Sequence, residues 1–182
     1  MPLETGGRSD KQGNKYEIQC IIYEILKVFK EINYSIMIEP LGEDEIGTDI
    51  LITDFKGRKE HQQCKARNAS KEYWSIADLN SRHILNNWKR QLEREDSRSV
   101  ALVSAVGCSF IVDLHNRAIN SDNDPDNFLK YQIGKSSKTF QDSYHEFCKI
   151  MDLDITKSID VIKSIEFLKR INFKQMSEYT LK

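Results

Sequence analysis

Apolar residues recur at Ile18, Ile21, Ile22, Ile25, Leu26, Phe29 and Ile32, at intervals of three and four, before Asn33 breaks the run. That is the period of one face of an α-helix, and it predicts a helix over 15–32. Three short strand-like runs follow, at 34–39, 47–53 and 60–66. The second contains an unbroken Ile50-Leu51-Ile52, and the Asp54-Phe-Lys-Gly57-Arg58 link to the third has hairpin length. The acidic stretch from Gly42 to Gly47 reads as the loop between the first two strands. Helical spacing returns over 75–94 through Ile76, Leu79, Ile84, Leu85, Trp88 and Leu92. Ser75 and Asp78 are placed there like a capping box, although the box prefers Glu or Gln at its last position.

The segment 99–106 is rich in Val and Ala and suits a strand buried on both faces. After Gly107 the pattern is helical with interruptions, a loop is expected at 121–126, and closing helices at 139–151 and 156–171. Helix, strand, hairpin strand, strand, helix, strand is an α/β order. It predicts a central mixed sheet of about four or five strands flanked by helices.

The 182 residues suit one domain. Residues 1–12, rich in Gly, Lys and Asp, are expected to form a loose arm, 13–171 the domain, and 172–182 a linker. No internal repeat or low-complexity tract is present. No apolar run reaches the roughly 18 residues of a membrane span, and the N-terminus lacks the apolar core of a secretory signal, so a cytoplasmic protein is expected. Cys20, Cys64, Cys108 and Cys148 are widely spaced with no CxxC pair, which reads as reduced, small apolar residues rather than a zinc site or disulfides. The four histidines are equally scattered. A net charge of −1 argues mildly against a tight autonomous DNA-binding module, yet not against an enzyme whose acids hold a cation.

The sharpest chemical feature is Gly47-Thr48-Asp49 followed by Gln63-Cys64-Lys65. On a strand, Gln63 and Lys65 point one way and Cys64 the other, and Asp49 heads the neighbouring strand of the same hairpin. Asp49 offers a carboxylate and Gln63 an amide oxygen to a hard divalent cation. Lys65 can orient a water and offset charge on a phosphorane, and Glu17 on the first helix can reach the same pole.

Asp49 with Gln63-x-Lys65 resembles the D-QxK variant of the PD-(D/E)xK nucleases, the Mrr-like branch. Gly6-Gly-Arg-Ser-Asp-Lys-Gln-Gly-Asn-Lys-Tyr16-Glu17, Gly47-Thr-Asp49, His61-Gln-Gln-Cys-Lys65 and Trp74-Ser-Ile-Ala-Asp-Leu79 together resemble the N-terminal nuclease domain of antiviral STAND NTPases and related antiphage effectors. The resemblance covers roughly residues 6–110. It implies the restriction-endonuclease-like fold and a Mg²⁺-dependent (or Mn²⁺-dependent) endonuclease acting on double-stranded DNA. Asp49, Gln63 and Glu17 would be metal ligands and Lys65 a catalytic group. It further implies self-association as a dimer or tetramer and a sensor NTPase module in cis. No Walker A motif occurs in these residues, so that module would lie beyond Lys182. Most members of the superfamily carry Asp or Glu where Gln63 stands; in the Mrr-like branch Gln is usual.

Plainer readings compete. Glu17 can be a solvated acid favoured by the helix macrodipole, and Gln63 with Lys65 the wet face of a strand. Lys11, Lys15, Arg67 and Lys71 are candidate phosphate contacts, as is Arg82, though surface cations are mostly just solvated. Trp74 and Trp88 read as core. Glu43, Asp44 and Glu45 read as exposed loop charge, and His61 as a minor candidate for touching substrate. The rival functions are a non-catalytic DNA- or partner-binding module, an RNA nuclease, and a small nucleotide-handling enzyme.

Overall fold

The computed structural model describes residues 5–66, 71–94 and 98–177, with side chains from residue 13 onward. Five strands form one sheet in the order β1 (Ser35–Ile38), β2 (Ile50–Thr53), β3 (Lys59–Lys65), β4 (Arg98–Ser104), β5 (Ile171–Gln175). β1, β2 and β3 are an antiparallel meander, while β4 joins β3 and β5 joins β4 in parallel. A parallel neighbour needs a crossover, which α2 (Ile76–Ser81) and α3 (Ile84–Leu92) supply between β3 and β4. The sheet is therefore mixed, as the pattern of elements predicts.

β4 shows how the two layers divide. Val100 and Leu102 face a large apolar cluster with α2, α3, α4 (Ser109–Ile119), α6 (Lys138–Ile150) and α7 (Ser158–Arg170), whereas Val103 faces a small cluster beneath α1 (Thr5–Phe29). Alternation along the strand sends neighbouring side chains to opposite layers. Trp74 and Trp88 are both buried in the large cluster, as core residues.

The expected helix over 75–94 is two helices. Ser75 and Asp78 close a reciprocal capping box at the start of α2. His83, in the left-handed region at φ 59°, then breaks the axis before α3. Between α4 and α6 lie a short α5 (Pro125–Asn127), capped by the Asp124 carboxylate, and a π-helical turn over Phe128–Ile133.

Two boundaries differ from expectation. α1 begins at Thr5, so much of the stretch expected as a loose arm is helical backbone. Residues 172–175, expected as linker, are β5: α7 runs without a loop into a strand that pairs with Val100–Ser104 of β4. The four cysteines are free and buried. No helix among the described residues is long and apolar enough to cross a membrane.

Candidate active site

The β1–β2–β3 meander aligns three polar residues in one cross-strand row. Ile38 pairs with Ile50, and Ile50 with Gln62. One step beyond these pairs, Glu39, Asp49 and Gln63 stand side by side at the end of the sheet. Backbone bonds carry the row past the strand ends, from Glu39 N–H to Asp49 O (3.0 Å) and from Asp49 N–H to Gln62 O (2.9 Å). Since β2 begins only at Ile50, the next β3 amide has no strand partner. The Asp49 carboxylate takes it, accepting from the Cys64 N–H at 2.6 Å.

Lys65 lies two residues after Gln63, and its Nζ is 4.0 Å from Asp49 Oδ2, with both side chains partly open to solvent. Glu17 approaches from α1. That helix is held in register by Tyr16, which is buried and donates from its hydroxyl to Met176 O at 2.9 Å. Burial pushes the Glu17 carboxyl above its ordinary value, the negative charges of Asp49 and Glu39 push it further, and Lys65 pulls it back. Glu17, Asp49 and Lys65 thus share one electrostatic neighbourhood. Gln63 is buried beside Asp49, and its Oε1 has no hydrogen-bond partner among the described residues.

The chemistry of this donor set suits a hard divalent cation: two carboxylates and an amide carbonyl, all oxygen ligands. A buried acceptor without a donor and two acids raising each other's cost of ionisation are both relieved by positive charge. Among the described residues, however, no cluster of three or more His, Cys, Asp or Glu side chains is arranged to hold a metal ion. The set depends on the amide of Gln63.

Glu39 is absent from the sequence-based set. Its signal in the sequence is weak, an acid before Pro40 at a strand end. Only the register of β1 on β2 reveals that it neighbours Asp49. It is held at φ 46°, an uncommon conformation for a residue with a Cβ.

The approach to Asp49 is braced by a buried network. Arg98 Nη1 reaches His61 Nε2 at 3.0 Å and donates to Asp44 Oδ1 at 2.6 Å. His61 Nδ1 reaches Thr48 Oγ1 at 3.1 Å, and Thr48 Oγ1 donates to Ile46 O at 3.3 Å. With Arg98 donating to Nε2, the neutral Nδ1–H tautomer completes the chain. Burial and the Arg98 charge depress the His61 pKa to about 4. His61 is 2% exposed and braces the 42–48 loop through Thr48 and Arg98. Asp44, expected as exposed loop charge, is drawn in by Arg98 and Lys59 and titrates below its ordinary value. Gly47, at φ 61°, packs so closely on α3 that a Cβ would lie 2.5 Å from Asn87 Nδ2.

Of the candidate phosphate contacts, Lys15 is exposed, two residues before Glu17. Lys71 is engaged by Asp78 at 2.5 Å. The Lys11 side chain and Arg67 lie outside the described residues. Arg82 stacks 5.3 Å above the Trp74 ring. At the opposite end of the sheet a cavity of about 430 Å³ is lined by cations, among them Lys27, Arg58, Lys59 and Lys174. Those four are paired with Glu24, Asp54, Asp44 and Glu60.

Comparison of the chain with protein-family models, with curated proteins and with solved structures gives no match.

Proposed function

We propose that this chain is a metal-dependent endonuclease that hydrolyses phosphodiester bonds of double-stranded DNA, on a PD-(D/E)xK-type fold. The observation that carries the reading is the convergence of Glu17, Asp49 and Lys65 at one end of the sheet, with Gln63 next to Asp49 in the cross-strand row and its amide oxygen without a donor among the described residues. The order of helix, three-strand meander, helices and parallel strand agrees with that reading.

Asp49, the Gln63 carbonyl and Glu17 are the residues that would hold Mg²⁺ or Mn²⁺. When bound there, such an ion supplies Lewis acidity, polarising the phosphate and making a coordinated water acidic. Lys65 does the chain's own part of the chemistry. Its ammonium hydrogen-bonds the attacking water, orients it in line with the scissile bond, and offsets negative charge gathering on the phosphoryl oxygens. Asp49 restrains Lys65 on one side while being pinned by the Cys64 amide on the other. Attack by water leaves no covalent intermediate on the protein. Lys15, exposed near Glu17, is placed to meet a backbone phosphate. The wider role suggested by the sequence, an antiphage effector domain tethered in cis to a sensor module and switched on by oligomerisation, belongs to the same proposal.

The test is cleavage of plasmid DNA with Mg²⁺ or Mn²⁺ by wild type, Lys65→Ala and Asp49→Ala, alongside single-stranded DNA and RNA of equal length. Loss of cutting by at least a hundredfold in both variants, with unchanged circular dichroism, supports the proposal. Cutting that survives in both removes the assignment of these residues. Cleavage of RNA alone replaces the substrate.

A further inference from the structure

The apolar helical periodicity that opens the sequence faces the wrong way for a monomer. α1 turns Tyr16, Cys20 and Glu24 toward the sheet, all buried. The apolar stripe lies on the other side: Ile18 is 55% exposed, Ile22 42%, Leu26 43%, Phe29 80%, and Ile32 just past the helix 58%. Polar anchors fix this rotation. Tyr16 bonds Met176 O, and the Glu24 carboxylate accepts from Lys27 Nζ (2.8 Å), Asn33 Nδ2 (3.0 Å) and Gln62 Nε2 (3.2 Å). Turning the helix over to bury the stripe would break the bonds to Met176 and Gln62, which lie on other elements, and bring Glu24 into water.

We infer that the outer face of α1 is covered by the same face of a second copy of this chain, packed antiparallel across a two-fold axis. Three observations favour that occupant. First, between Ile18 and Phe29 the face holds only apolar side chains, so it complements itself, as a two-fold interface requires. Second, the five exposed fractions amount to roughly 500 Å² per copy if a large side chain offers roughly 180 Å². The pair then buries on the order of 1,000 Å², the size at which a specific interface begins. Half-buried Ile21, Ile25 and Val28 beside the stripe add to it. Third, the exposed charges at the ends of the face choose the direction. A parallel pair sets Lys15 against Lys15 and Lys30 against Lys30. An antiparallel pair brings the Lys15 end to an end carrying Glu31 beside Lys30. In that arrangement Ile22 of one copy lies level with Leu26 of the other.

The inference needs neither metal nor DNA, so it stands or falls apart from the nuclease proposal. The test is sedimentation equilibrium of the 182-residue chain, wild type and the variants Leu26→Glu and Ile22→Lys, with circular dichroism and thermal melting to check the fold. Wild type should dimerise in the micromolar range, each variant should weaken dimerisation about a hundredfold, and a mixture of the two should recover a heterodimer through Glu at 26 facing Lys at 22. A wild type that stays monomeric up to about 1 mM overturns the inference, as does a folded variant that dimerises as well as wild type. Recovery of no heterodimer overturns the antiparallel register. A stripe filled instead by a further segment of a longer chain would leave the 182-residue protein monomeric, and that too overturns it.

Discussion

Glu39 and Asp49 are direct cross-strand neighbours, joined by the Glu39 N–H donating to Asp49 O at 3.0 Å, and the Glu17 carboxyl feels the charge of both. Glu17 on α1, with Glu39 and Asp49 just past the ends of β1 and β2, therefore shares one electrostatic neighbourhood at one end of the sheet, where Lys65 is the cation beside Asp49. Desolvation is the largest cause of the raised Glu17 pKa, the Asp49 charge the next, and Lys65 opposes both. Asp49→Asn should lower the Glu17 pKa toward its ordinary value, and Lys65→Met should raise it further. Carbon-detected NMR titration of the Glu17 carboxyl reads both shifts. A Glu17 that titrates identically in both variants would show that the acids do not share a site. In wild type, Mn²⁺-free Ca²⁺ or Mg²⁺ should pull the same pKa down, because a cation favours the ionised form.

Gln63 is the neutral member of the donor set. Gln63→Glu places a third carboxylate in the row of Glu39 and Asp49, which costs stability when no cation is present and strengthens cation binding when one is. The melting temperature of Gln63→Glu should fall below wild type in chelator, and Mg²⁺ should raise it by more than it raises wild type. This follows from linkage, since only the folded form gathers the ligands. Equal Mg²⁺ responses in the two proteins would separate Gln63 from any cation.

The fold was largely legible in the sequence because β2, β3 and β4 carry strong local signals: Ile50-Leu51-Ile52, the hairpin at 54–58, and the doubly buried 100–103 run. Asp49, Gln63 and Lys65 were legible for the same reason, since the hairpin register puts them together. Glu39 was not, because its neighbourhood with Asp49 exists only once β1 pairs with β2. β5 was hidden because Ile171-Asn-Phe-Lys-Gln continues α7 without a turn residue to announce it. α1 is the instructive case. Periodicity correctly announced an apolar helical face, but periodicity cannot say what covers it, and the sheet took Tyr16, Cys20 and Glu24 instead.

His61 makes a pH prediction whose sign is fixed by its depressed pKa. In the unfolded chain it protonates near pH 6.5, in the folded protein only near 4. Between those values the unfolded state binds the extra proton, so stability is full above about pH 6.5 and falls as pH drops toward 4. The loss is at most about 3 kcal/mol. Urea denaturation at pH 7 and pH 4.5 should show a steeper fall for wild type than for His61→Gln. Parallel falls in the two proteins would mean that burial and the Arg98 charge do not hold His61 neutral.

Gly47 ties the loop geometry to the site, because it stands two residues before Asp49 in a conformation that disfavours any side chain. At φ 61° a Cβ is strained in itself, and here it would also press to 2.5 Å from Nδ2 and 2.6 Å from Cβ of Asn87 on α3. Gly47→Ala should cost about 1–3 kcal/mol of stability. Asn87→Gly removes the clash and leaves the backbone strain, so the double variant should regain part of that loss and no more. Relief of that clash by a shift of the loop would draw Asp49 away from the Cys64 amide and Lys65, so the proposed nuclease activity should fall further in Gly47→Ala than its unfolded fraction explains. Measuring cleavage well below the melting temperature separates the two effects. A Gly47→Ala protein that is as stable and as active as wild type would show that the 42–48 loop does not set the position of Asp49.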